Sequence, residues 1–135
     1  MCIRDRGYTV GALPPSSVSG DSRGSQFTYY YPTVLAAYAS IFPNKPLCLT
    51  EVGYLVPGPL ALGSSFGWAL GNTAELQAEW LAEALTLAQD IGRVRLFIVY
   101  NVDGVDDPTA RYAIIDRNDA CLACQALRTV TSSTE

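Results

Sequence analysis

Apolar positions recur along this chain with two different periods, and the change from one to the other marks out its elements. From Thr73 to Ile91 the spacing is three and four: Leu76, Trp80, Ala84, Leu87, Ala88 and Ile91 form one stripe, with Glu75, Glu79, Glu83 and Gln89 off it. Asn72 is placed to cap this helix, with Glu75 three residues on to complete a capping box, and Gly92 is a natural stop. A second helical pattern runs from Phe27 to Phe42 through Tyr30, Val34, Ala37, Tyr38 and Ile41. Pro32 suits its first turn, and Pro43-Asn44-Lys45-Pro46 ends it. A third helix is expected over roughly Asp119 to Thr129.

The strand readings rest on shorter runs. Leu47 to Val52 is apolar, opened by Pro46 and closed by Gly53, which reads as a buried strand. Val94 to Tyr100 is nearly continuous in apolar residues, the pattern of a strand covered on both faces in a parallel sheet. Gly7 to Gly11 is strand-like, and Tyr112 to Asp116 is a small extended stretch. Strand 47–52, helix 73–91 and strand 94–100 make a right-handed βαβ unit. The whole order, strand and helix in turn, predicts an α/β fold with parallel strands. Two long loops, 12–26 and 53–71, follow the C-terminal ends of strands, where α/β folds place their chemistry.

Composition narrows the function classes. The chain has 135 residues, 49% of them hydrophobic, enough for one ordinary domain with a core. No apolar run is long enough to cross a membrane, so no membrane partner is expected. A net charge of -4 without a basic cluster argues against nucleic acid. With no His, both His-based triads and His-ligated metal sites are excluded from the chain, and no metal or cofactor is expected. Asn101 to Asp107 is acidic, yet it lacks calcium-loop spacing and reads as a solvated loop. Cys121 and Cys124 have redox-motif spacing inside the expected last helix; a structural disulfide or two half-buried thiols both fit. Cys48 is expected to face the helix layer and be inert.

Met1 to Arg6 stands apart. Met-Cys-Ile-Arg-Asp-Arg resembles the read-through translation of a sequencing adapter, and residues 1–6 are accordingly set aside as a scar. Without them the balance moves from 9 basic against 13 acidic residues to 7 against 12, net -5. The natural protein would then extend upstream, any leader would lie there, and residues 7–130 would be its C-terminal piece, with 131–135 a tail.

The chemistry of the chain centres on Glu51. By simple alternation Leu47, Leu49 and Glu51 share one strand face, and Cys48 and Thr50 the other. A carboxylate ending an apolar face is costly unless hydrogen-bonded or at a solvated mouth. The plain alternative is a strand-end Glu that caps a helix or pairs with an Arg. Thr50-Glu51-Val52-Gly53-Tyr54 after an apolar strand resembles the strand-seven motif of the retaining (β/α)8 glycoside hydrolases of the cellulase-like clan. Tyr112 to Asn118 followed by a helix resembles the segment that closes many such barrels after strand eight. Together the two motifs frame a resemblance over residues 8–128.

That resemblance implies a partial (β/α)8 barrel, about the last three βα units of a fold needing about 250 residues. It also implies hydrolysis of O-glycosyl bonds in a polysaccharide or oligosaccharide, a carbohydrate partner, and an extracellular or cell-surface location. Glu51 would be the nucleophile, with a second carboxylate about 5–5.5 Å away as acid and base. Tyr8 resembles the strand-six aromatic beside the nucleophile. Trp68 is a candidate sugar platform, because aromatic faces stack on sugar C–H faces. Tyr54 and Asn101 are further candidate hydroxyl contacts. Tyr8 and Trp68 each retain a structural alternative, Tyr8 as a tyrosine at the ragged start of the chain and Trp68 as a pin holding its loop to the barrel rim. Two departures stand out: Tyr100-Asn101 replaces the Trp common after strand eight, and no Asn-Glu pair, the usual acid/base signature, occurs in the chain. The chain alone is therefore expected to be inactive. A non-catalytic carbohydrate-binding or pseudo-enzyme α/β domain is the alternative, and an open doubly wound domain a third.

Overall fold

Strands and helices alternate through the computed structural model, which describes residues 3–8, 13–17, 30–57, 69–103 and 111–132. The order is β1 (Ile3–Tyr8), α1 (Tyr31–Ile41), β2 (Leu47–Gly53), α2 (Ala74–Asp90), β3 (Val94–Val99) and α3 (Leu122–Ser132). The three strands form one parallel sheet in the order β1-β2-β3. The fold is thus mixed α/β, as the alternating pattern predicts. β1 takes in four of the six residues set aside as a scar. A ladder asks only for main-chain N–H and C=O groups, which any residue but Pro supplies.

β2 is the middle strand, and Leu47, Cys48, Leu49 and Val52 are all buried in it. Its register breaks around Thr50. On one side Leu49 pairs with Asp5 and Glu51 with Arg6, skipping Thr50; on the other the pairing with β3 shifts between Leu49 and Val52. This irregularity corrects the simple alternation. Leu49 and Val52, three residues apart, both join the core cluster with α2, which strict period-two pleating forbids. Glu51, next to Val52, therefore points to the sheet face away from α2 rather than sharing a face with Leu49.

β3 departs from expectation in a related way. Phe97 and Val99 pack against the core, but Leu96 and Ile98 on the other face are 45% and 43% exposed. Among the described residues the sheet is covered on one side at β3, not on both.

α2 presents Gln77, Ala78, Trp80, Leu81, Ala84 and Ala88 as its buried face. Its cap is Thr73, whose hydroxyl accepts the Leu76 N–H at 3.2 Å, not Asn72. Asn72 is instead buried, its amide donating to the Leu55 carbonyl at 2.9 Å. Glu75 does contribute at this end: a hydrogen bond from its own backbone N–H, and then one from Thr73, hold its carboxyl below the usual range. Gly92 ends the helix with φ +68°, a left-handed turn that glycine makes without Cβ strain.

α1 begins with Pro32 in its first turn, as predicted. Its buried side is Tyr31, Val34 and Leu35, so the stripe is rotated from the expected one, and Ile41 is 66% exposed. The Tyr31 hydroxyl donates to the Ala84 carbonyl at 2.9 Å, tying α1 to α2, and burial pushes its phenol well above the ordinary tyrosine range. At the other end of α1, Arg93 donates to the carbonyls of Ala39 at 2.7 Å, Lys45 at 2.6 Å and Phe42. One guanidinium thus satisfies the open carbonyls of the helix C-terminus and fixes the turn into β2. α3 starts three residues later than expected and docks through Ala123, 1% exposed, with Ala126 and Leu127 beside the core. Among the described residues no helix is long and apolar enough to cross a membrane.

Candidate functional site

The C-terminal ends of the three strands bring together what the sequence spread over ninety residues. Glu51 lies half-buried in the last part of β2, on the face away from α2. Beyond it β2 is locked to the residue that follows β3. The Tyr100 N–H donates to the Val52 carbonyl at 2.8 Å. A Cβ on Gly53 would lie 1.9 Å from the Tyr100 carbonyl oxygen and 3.3 Å from the Tyr112 ring, so only glycine fits there.

Asn101 continues this locking. Its N–H donates to the Tyr112 carbonyl at 3.1 Å, and its own carbonyl accepts from Ile114 at 3.0 Å, so residues 112–114 run alongside it as a short parallel pairing. The Asn101 side-chain oxygen accepts the Val102 N–H at 2.8 Å, which turns the chain sharply at this point. The Tyr100–Asn101 peptide bond is cis. Tyr100 and Tyr112 meet as a tilted ring pair, centroids 5.8 Å apart, both half-buried. The stretch at 112–116, expected from the sequence to be extended and given no site role there, forms a tight turn at 111–112 and bends at 114–115 instead of a strand. Its hydrogen bonds to Asn101 build it into the site's edge.

Gln77 is the buried fastener under that edge. From α2 its amide donates to the carbonyl of Tyr54 at 2.8 Å and to those of Tyr112 and Ala113 at 3.3 Å each. It joins the exit of β2 to the segment after β3. A polar residue between Leu76 and Ala78, in line with Leu81 and Ala84 at helical spacing, is the signal that could have found it. Arg93 leaves no such trace.

The other sequence candidates fall differently. Tyr54 is 1% exposed with its ring against Trp80, centroids 5.1 Å apart. It is a core side chain, because β2 carries it under α2, and this corrects its assignment as a substrate contact. The main chain of Tyr8 pairs with Gly53 at the end of β1, which puts it level with the site along the sheet. Trp68 lies outside the described residues, as does the latter part of the acidic 101–107 loop. Among the described residues no group of acidic or cysteine side chains is arranged to hold a metal. Glu75 and Glu79 are exposed on α2, and Glu83 accepts the Ser16 N–H at 3.2 Å, fastening the segment at buried Pro15 to the helix. None of the three is a second carboxylate for Glu51. Cys48 is disulfide-bonded rather than a free inert thiol, and Cys121 and Cys124 are joined to each other.

The arrangement offers the Glu51 carboxylate in the last part of the middle strand and an aromatic pair just beyond the end of β3. A single carboxylate can act as nucleophile, base or anchor, but not as acid and nucleophile in the same turnover. Comparison of the chain with family models, with curated proteins and with solved structures found no match.

Proposed function

We propose that this chain is the C-terminal part of a retaining glycoside hydrolase of the (β/α)8 type, about its last three βα units, with Glu51 as nucleophile. The observation that carries the reading is Glu51 itself. It is a half-buried carboxylate in the final residues of the middle parallel strand, turned by the Thr50 irregularity to the face away from α2. In a closed barrel the face away from the helices is the interior, and its C-terminal rim is where substrates meet catalytic groups. The open face of β3, with Leu96 and Ile98, supports the same reading, since inward branched apolar residues fill such barrels. Asn101, Tyr100 and Tyr112 edge the same rim, and on this reading the sequence candidate Trp68 would be the sugar platform. The substrate is a polysaccharide or oligosaccharide, and the site of action is extracellular or at the cell surface.

In the mechanism Glu51 attacks the anomeric carbon and expels the leaving-group oxygen, which a second carboxyl group, in its acid form, protonates and so becomes a carboxylate. That second group then draws a proton from water, which cleaves the glycosyl ester at Glu51 with net retention. Glu75, Glu79 and Glu83 lie on α2 and none of them serves as that second group, so on this reading it comes from another unit of the protein. That same fact favours the second reading, a sugar-binding domain without turnover.

The test takes the chain joined to the coding sequence found upstream of it in the source DNA. A 2-fluoro glycoside should label the peptide containing Glu51, and Glu51→Gln should lower kcat by about 10³-fold or more, an effect of electrostatic and covalent size, with the circular dichroism unchanged. Sugar binding without labelling or turnover selects the non-catalytic reading. Full activity in Glu51→Gln sinks the assignment.

A further inference from the structure

The sequence places Cys121 and Cys124 inside the last helix, but the structure starts that helix at Leu122, so Cys121 stands just before its first residue. Cys124 is then the third helical residue, and its N–H donates to the Cys121 sulfur at 3.0 Å. The two cysteines form a disulfide, with Cα atoms 5.2 Å apart. Both are half-buried. Between them Ala123 is 1% exposed and anchors the first turn of α3 in the core cluster.

We propose that Cys121–Cys124 is a thiol–disulfide exchange site that reacts in the native state with low-molecular-weight thiols of the glutathione class. Two independent features of the molecule support this. The first is access: this disulfide closes a loop of two intervening residues, Cys124 is only half-buried, and Ala123, Ala126 and Leu127 hold α3 to the core through their own contacts, beside Cys121, which also packs there. A disulfide across so short a loop constrains the unfolded chain little, so it has little to contribute as a staple. The second is the helix start. An incoming thiolate attacks the Cys124 sulfur, forming a Cys124 mixed disulfide, and the S–S bond breaks toward Cys121. Cys121 departs as thiolate, holding the electron pair, where the Cys124 N–H and the positive end of α3 stabilise it. A second external thiolate attacks the external sulfur of the mixed disulfide, releasing Cys124 as thiolate and leaving the reductant as its own disulfide. Two electrons pass from two external thiols to the protein disulfide, and no other reagent is consumed.

The experiment uses the full chain with glutathione as the probe, quenched by acid and mapped by mass spectrometry. The Cys121–Cys124 bond should be reduced in native buffer within about tenfold of its rate in denaturant, with the helical circular dichroism retained. A disulfide reached only by global unfolding would lag by about a thousandfold or more. The reduced Cys124→Ser variant is then alkylated across pH. Cys121 should show a midpoint below the ordinary thiol value of about 8.5. Should that variant fold poorly, the reduced wild-type chain is alkylated instead and Cys121 is read by peptide mapping. Reduction only with unfolding, or a Cys121 midpoint at or above the ordinary value, overturns the proposal.

Discussion

Replacing Gly53 with Ala should be more disruptive than the same change at Gly71 or Gly92, and the structure says why. The added Cβ would sit 1.9 Å from the Tyr100 carbonyl oxygen, a contact that must open to at least 3.0 Å. The obstacle is main chain, not the end of a flexible side chain, so the strands themselves must part by about 1.1 Å. If Tyr100 carries that movement, its 2.8 Å hydrogen bond to Val52 stretches past useful length. Overpacking of this kind costs about 1–3 kcal/mol and the lost ladder bond about 1 kcal/mol more, so about 3 kcal/mol is expected in all. Urea unfolding followed by circular dichroism measures it directly. Two other glycines serve as controls. Gly71→Ala meets nothing within 4 Å and should be neutral or slightly stabilising. Gly92→Ala also meets nothing, but its φ of +68° should cost about 1 kcal/mol through backbone strain alone. A Gly53→Ala midpoint indistinguishable from that of Gly71→Ala would refute the close approach of β2 to Tyr100.

Three further changes test the other fastenings. Arg93→Ala should cost about 2–4 kcal/mol, since three carbonyls at the α1 terminus lose a charged donor, and Lys should recover only part, lacking the planar fork; both are read by urea unfolding. Gln77→Leu fills similar space but leaves the carbonyls of Tyr54, Tyr112 and Ala113 without that donor. A loss of about 2–3 kcal/mol is expected, together with faster amide exchange at Asn101 and Ile114. The buried Tyr31 phenol has a raised pKa, so the folded state holds its proton longer than the unfolded chain does. Its contribution is complete below the unfolded value of about 10 and erodes as pH climbs from there toward the folded value. Tyr31→Phe should flatten stability measured across that alkaline range; an unchanged slope would show that Tyr31 is not its source.

Periodicity by itself determined the element order of this protein. The stripe from Leu76 to Ile91, the apolar runs at Leu47 and Val94, and the punctuation by Pro46, Gly53 and Gly92 suffice, because helix and strand repeats are local geometry. The parallel α/β arrangement follows from that order. Faces and ends were another matter. Alternation put Glu51 with Leu49, yet a one-residue irregularity at Thr50, set by pairing with both neighbouring strands, turned it over. Asn72 was a sound local cap, but a buried carbonyl at Leu55 drew its amide away and left the role to Thr73. Tyr54 read as an exit residue at the mouth and became core because α2 brought Trp80 onto it. Arg93 and Gln77 join segments about fifty and thirty-five residues apart, so no local pattern could reveal their partners. A side chain's period is written in its neighbours along the chain. Its partner is decided only when distant carbonyls arrive and must be satisfied.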